Sequence, residues 1–263
     1  METLSVVIPA YNEAENIPAV LESIPLGELA EAGWTTEVIV VDNASTDGTG
    51  DLARQHGAKV VFQPEPGYGN AYKAGFQAAS GEVIATGDAD RTYPFDMLPQ
   101  LLDVLVEQDV EFMTTDRLHP ANRESMKDSH FLANHVLSLV SRVLFRHQLK
   151  DSQSGMWIFR SHVWSGLDVR SPGMAFSQEI KNAAVRAKYR VLEVPIEYRP
   201  RGGEVKLKAL ADGLGNLGSL LEHRLRRPEP EAVAAVPGPR AAVIPTQTTP
   251  GKSECVLTAT TES

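Results

Sequence analysis

Cysteine is nearly absent from this chain. The single Cys255 excludes an intramolecular disulfide framework and fits a reducing compartment. Basic charge is also short: 25 lysines and arginines face 34 aspartates and glutamates, a net charge of -9. That balance argues against a general nucleic-acid binder. Long apolar runs are missing, and none approaches the roughly 18 residues of a membrane span. The opening METLSVVIPAYNE lacks the basic start and extended apolar core of a secretory signal. The expectation is a cytoplasmic protein, or one resting on a membrane face without crossing it. What is present, 42% hydrophobic and 22% charged residues over 263 positions, is enough for a substantial core.

The first half alternates short apolar runs with helix-like segments. LSVVIPA (4–10), TEVIVVDNAS (36–45), AKVVFQ (58–63) and GEVIATGDAD (81–90) read as strands, with helical patterns between them. Near-continuous valine and isoleucine marks strands buried on both faces, the habit of a parallel sheet. Strand and helix in this alternation predict an α/β fold, a mostly parallel central sheet with helices on both faces. Further on, helices are expected over 94–108, 129–145, 175–187 and 206–227, strands over 110–117 and 189–201, and a loop leading into a strand over 150–160. Pro195 steers the last strand toward a sheet edge or a bend. From Pro228 the composition turns to Pro, Ala, Thr, Glu and Ser without periodicity, so 1–227 reads as the folded domain and 228–263 as a disordered tail.

Polar clusters follow three of the strands: PAYNE (9–13), DNAS (42–45) and DAD (88–90). Open α/β sheets bind ligands beyond the carboxyl ends of their strands. Each cluster alone could be helix capping, with Asn12, Ser45 or Thr46 as the cap. Three at one edge outline a nucleotide site. Asp88 and Asp90, two apart, would converge if strand geometry ran on to Asp90. Carboxylates that close raise each other's pKa unless a cation neutralises them, and Mg²⁺ or Mn²⁺ takes hard oxygen ligands that it often shares with phosphates; by itself the stretch reads equally as a turn. A dinucleotide-binding domain would need GxGxxG after the first strand. That place holds PAYNEAEN.

The segments VVIPAYNEAENI, VDNASTDGT, GYGNAYKAGF and GEVIATGDADRTYP, in this order, resemble family 2 glycosyltransferases of the GT-A fold. DRLHPANR, KDSQSGMWIFR and EVPIEYRPRGGEVKL resemble the polyprenyl-phosphate hexose synthase branch. The resemblance spans about residues 4–216. It implies that Pro9, Ala10, Tyr11 and Glu13 hold the base and ribose, that Asp42 recognises the nucleoside, and that Asp88 and Asp90 bind the metal. It associates Arg117 and Arg201 with phosphates. The implied activity is inverting transfer of a hexose from a UDP- or GDP-sugar to a polyprenyl phosphate.

Three positions depart from the branch: Thr92 where glutamine is usual, Met156–Trp157 where an aromatic and arginine follow the glycine, and Val205 where serine precedes lysine. They leave room for two other readings, a soluble hydroxyl acceptor or a sugar-nucleotide binder without turnover. A hydroxyl acceptor usually wants a carboxylate or histidine base. Glu179 is the nearest candidate, although it reads first as an exposed helical glutamate. His130, His135 and His147 lack metal-ligand spacing and read as structural. Trp34, Trp157 and Trp164 read as packing residues. The leucines from Leu207 to Leu225, ending in Arg224, Arg226 and Arg227, form a stripe suited to peripheral membrane contact.

Overall fold

The computed structural model describes residues 2–202 and 209–226. The tail from 228, together with Val205, Leu207 and Arg227, lies outside the described residues. Two strands set the frame: β1 (Glu2–Ala10) and β2 (Trp34–Asp42) run parallel, pairing from Glu2↔Trp34 to Ala10↔Asp42. β3 (Lys59–Phe62) lies parallel beyond β2, and β4 (Val83–Thr86) lies parallel on the other side of β1. β5 (Phe112–Asp116) and β7 (Val191–Pro195) pair parallel with each other. β6 (Trp157–Arg160) runs antiparallel between β4 and β5. The order is β3-β2-β1-β4-β6-β5-β7. One reversed strand in a mostly parallel sheet was not evident in the sequence. β7 is one of the two edge strands and ends on Pro195, whose missing N–H costs the sheet least there.

Alternation along the strands feeds two cores. Val6, Ile8 and Val40 meet α1 (Ile17–Glu22), α2 (Leu26–Glu31) and α5 (Leu98–Glu107) through Ile17, Val20, Leu29, Leu98 and Leu101. Val7, Ile39 and Val41 face the other way, toward Tyr72 and Phe76 of α4 (Tyr68–Ala78) and Phe176 and Ile180 of α8 (Phe176–Arg186). α3 (Thr49–Gln55) and the short α7 (Ser161–Ser165) complete the layers. α6 (Asp128–Phe145) and α9 (Ala209–Leu225) form a separate pair, sharing Leu137, Phe145 and Leu220.

The helices α2 and α7 were not expected, being too short to show periodicity. The fourth strand stops at Thr86, four residues before its expected end. Asp88 follows it in irregular chain and Asp90 sits in a turn, beside Arg91 at φ 71°. The chain winds outward from β1 through β2 to β3 and then returns to β4 on β1's other side. Strand order therefore reverses between β1 and β4, and a crevice opens there at the carboxyl edge. The loops after both strands border it.

Candidate functional site

That crevice is a cavity of about 260 Å³. Pro9, Ala10, Tyr11 and Glu13 line it from the β1 end, Asp88 and Asp90 from the β4 end, and Arg201 closes one side. The loops after β1 and β2 are stitched together. Asn12, at φ 51°, donates its N–H to Ser45 Oγ at 3.0 Å and accepts from Thr46 N–H at 2.8 Å. Asn12 thus ties two loops rather than capping α1. Glu13 N–H donates to Thr49 Oγ1 at 2.8 Å, and its buried carboxylate accepts from Asn16 at 2.7 Å. Tyr11 stands half exposed at the mouth, 51% accessible.

Asp42 ends β2 beside Ala10, buried, and its Oδ1 accepts from Ser45 N–H at 2.9 Å. Asp42 does not line the cavity; its neighbour Asn43 does. The Asn43 side chain donates to the carbonyls of Gln63 and Glu65 and accepts from Gly67 N–H at 2.8 Å. It links the β2 end to the loop that enters α4. Asn43 carried no distinguishing signal in the sequence, because a loop asparagine after a strand is commonplace.

Asp88 Oδ1 accepts from the Tyr68 hydroxyl at 2.9 Å and from the Tyr72 hydroxyl at 3.4 Å. Burial first, then the charge of Asp90, pushes the Asp88 carboxyl up to about 7, against the pull of the Tyr68 bond, Arg117 and Arg201. Asp90 is held differently. Its Oδ1 accepts from Thr92 Oγ1 at 2.6 Å and Thr92 N–H at 3.1 Å, while Oδ2 meets Arg201 Nη1 at 3.2 Å. Arg201 Nη2 lies 3.6 Å from Glu13 Oε1, and Gly202 N–H donates to the Asp90 carbonyl at 3.0 Å. The Arg201 Nε–H is buried and finds no acceptor among the described residues. A donor left bare in a cavity is one that an anionic oxygen would satisfy.

Arg117 does not line the cavity. Its Nε and Nη2 donate to the two oxygens of Asp151 at 2.7 and 3.1 Å, and the guanidinium lies 5.4 Å from the Tyr198 ring centre. Nη1 makes no hydrogen bond among the described residues. Burial alone would push the Asp151 carboxyl up, but Arg117 and then Lys181 hold it down at about 2. Lys181, itself buried, donates to the Asp151 carbonyl at 2.6 Å.

Glu179 is not an exposed helical glutamate. It is 2% accessible, accepts from Ser171 N–H and pairs with Arg226 at 2.7 Å. A short sequence window around it could not show that α9 would cover it. Met156 and Trp157 are both buried, one in each core, and the Trp157 indole donates to the Ser154 carbonyl. Neither lines the cavity. His147 is buried and bonded to Ser141 and Asn182, a structural role as expected.

Two aspartates, Asp88 and Asp90, supply hard oxygen donors at the β4 end of the cavity. No cluster of three or more His, Cys, Asp or Glu side chains able to hold a metal occurs among the described residues. A divalent ion on these two carboxylates would draw its remaining ligands from phosphate oxygens and water, the habit of Mg²⁺. An aspartate pushed up by a neighbouring carboxylate gains when such an ion neutralises both.

Comparison with known proteins gives the family and the fold. Residues 5–166 match the model of glycosyl transferase family 2. A dolichyl-phosphate hexose transferase of Haloferax volcanii is 32% identical over 229 residues, 86% of this chain and 97% of the relative. A low-salt glycan biosynthesis hexosyltransferase from the same organism is 34% identical over 215 residues, 80% of this chain. This chain spans only about half, 51%, of that relative's length. Glucosyl-3-phosphoglycerate synthase of Mycobacterium tuberculosis, solved with UDP, has the same fold at a TM-score of 0.70 and 22% identity, over 94% of this chain and 84% of that one. The same enzyme has been solved with Mn²⁺, UDP-glucose and phosphoglyceric acid. The architecture is the GT-A fold.

Proposed function

The chain belongs to glycosyltransferase family 2, and from that premise we propose that it is an inverting, metal-dependent hexosyltransferase. The donor is a nucleotide diphosphate sugar and the acceptor a polyprenyl phosphate. One observation carries the donor half: the β1 and β4 loops bring Pro9, Ala10, Tyr11 and Glu13 into one cavity with Asp88, Asp90 and Arg201. The first group would hold base and ribose, with Asp42 behind the β2 loop. Asp88 and Asp90 would hold Mg²⁺ or Mn²⁺, which supplies charge neutralisation for the departing diphosphate. Arg201 keeps a bare Nε–H for a phosphate oxygen.

The acceptor half rests on three observations. A phosphate is ionised near neutral pH and needs no protein base, and Glu179 is occupied by Ser171 and Arg226. Arg117 holds one uncommitted terminal nitrogen beside the site, a donor edge for an acceptor phosphate. Seven of the eleven exposed large hydrophobic side chains among the described residues lie on two helices. They are Leu132, Val136, Leu139 and Val143 of α6 and Leu217, Leu221 and Leu225 of α9. Spacings of three and four put each set on one helix face. We propose that this surface meets the membrane that carries the lipid acceptor. Ser138 of α6 and Asn216 of α9 hydrogen-bond Ser152 and Gln153, tying the pair to the loop beneath Asp88.

The test is direct. The protein with Mn²⁺, labelled UDP- and GDP-hexoses and polyprenyl phosphate should move label into an organic extract. Label confined to water-soluble products would favour a hydroxyl acceptor. Donor binding without any transfer would favour a non-catalytic binder.

A further inference from the structure

Asp88 and Asp90 are both aspartates at the cavity, yet their supports differ in kind. Asp90 is tied by its own turn, through Thr92 two residues on. Asp88 has no such local support: both hydroxyls it accepts from come from α4, and both reach the same oxygen, Oδ1. Its Oδ2 accepts nothing among the described residues, while the residue lines the cavity. Tyr68 and Tyr72 stand edge to face, 4.9 Å between ring centres, so each limits the other's rotation. The single Tyr72 hydroxyl proton is shared between Asp88 Oδ1 and the nearer Gly155 carbonyl at 3.2 Å, and Gly155 N–H donates to the Tyr93 hydroxyl at 2.6 Å.

Gly155 is where these groups meet. A Cβ built there would run into the Tyr68 hydroxyl and come 3.4 Å from Asp88 Oδ1. The loop entering β6 therefore passes so close beneath Asp88 that only glycine leaves space for the phenol.

We propose that Tyr68 is a positioning residue for the metal ligand Asp88: its hydroxyl clamps Oδ1, Gly155 leaves the room for it, and Oδ2 is thereby presented to the divalent ion. The inference rests on the metal-dependent reading above. A ligand's hydrogen-bonded support is typically worth 10- to 100-fold in metal affinity. The clamp is built from two distant segments, α4 and the β6 lead-in. Neither the DAD stretch nor its spacing announces it.

Mn²⁺ titration followed by electron paramagnetic resonance, on the full chain with Mn²⁺ alone and then with UDP or GDP, tests it. Tyr68→Phe should weaken Mn²⁺ binding about tenfold even without nucleotide, with thermal stability near that of the unaltered chain. Gly155→Ala should weaken it similarly by displacing the phenol. The double variant should then be no worse than either single one, because both remove one interaction. Unchanged affinity in Tyr68→Phe, or additive losses in the double variant, overturns the proposal. If Gly155→Ala does not fold, Tyr72→Phe decides: its longer bond should make it the milder change, and equal losses overturn the clamp. An unaltered chain that binds no Mn²⁺ overturns the metal-dependent reading itself, and the clamp with it. Binding that Tyr68→Phe leaves intact overturns the clamp alone.

Discussion

Asp90 is where the charges of the cavity meet: it takes two bonds from Thr92 and an ion pair from Arg201. On the proposed metal-dependent reading, removing its carboxylate would deprive the divalent ion of a ligand, and it leaves Glu13 as the ion-pair partner of Arg201 among the described residues. Asp90→Ala should lower kcat at least a hundredfold, about 3 kcal/mol of transition-state stabilisation. Transfer assays with and without chelator would show it, and activity unchanged in excess chelator would refute the metal. Asp151 makes the contrasting case. It is wholly buried and its charge is balanced by Arg117. Asp151→Ala strands a buried guanidinium, and breaking such a pair costs about 3–5 kcal/mol. Urea unfolding should show that loss, whereas Asp90→Ala should leave the midpoint comparatively unmoved.

At the scale of elements, α6 and α9 carry the proposed membrane contact. No helix among the described residues is long and apolar enough to cross a bilayer. Two of the arginines at the end of α9 are engaged within the fold. Arg226 pairs with buried Glu179 and with Glu222, and Arg224 donates to the Leu144 carbonyl at 2.9 Å. Replacing them would disturb packing as much as charge. The outward side chains give the cleaner test, because Leu139, Val143 and Leu221 are exposed and their loss leaves the inner contact of Leu137, Phe145 and Leu220 intact. Changing those three to glutamine should reduce co-sedimentation with anionic liposomes severalfold and leave nucleotide binding unaltered. Equal sedimentation of the variant and the unaltered chain would refute the membrane face.

For the molecule as a whole, buried titratable groups set how stability follows pH. Burial pushes His147 down to about 4, with Lys181 and Arg142 adding to the effect against its bond to Asn182. The unfolded chain takes up that proton near the usual 6.5, before the native one does. The contribution of His147 is therefore full above about 6.5 and is lost as pH falls toward 4. Glu193, pushed up to about 7 by burial, acts with the opposite sign, losing stability as pH rises toward 7. The difference between the chain and His147→Gln isolates the first effect. Denaturant unfolding should fall more steeply with acid in the unaltered chain, by at most about 3 kcal/mol between pH 6.5 and 4. Parallel slopes would remove His147 from the account. The tail is the other whole-chain question. The sequence reads 228–263 as a tail outside the folded domain, and we propose that deleting it leaves turnover and the thermal midpoint unchanged, which assay and calorimetry would check.

The α/β layering, the parallel strands β1 to β4 and the carboxyl-edge clusters could be read from the sequence, because doubly buried strands and strand-end polar residues are local patterns. The family was legible in the motifs around Pro9, Asp42 and Asp88. Other features needed the third dimension. Strand geometry does not carry Asp88 to Asp90; a turn does, and Tyr68 and Arg201 reach them from 20 and 111 positions away. The antiparallel β6, the pairing of Arg117 with Asp151 and the burial of Glu179 beneath α9 all depend on segments far apart in the chain meeting. Local periodicity reports which face of an element is apolar. Only packing decides what that face, or a charge beside it, is placed against.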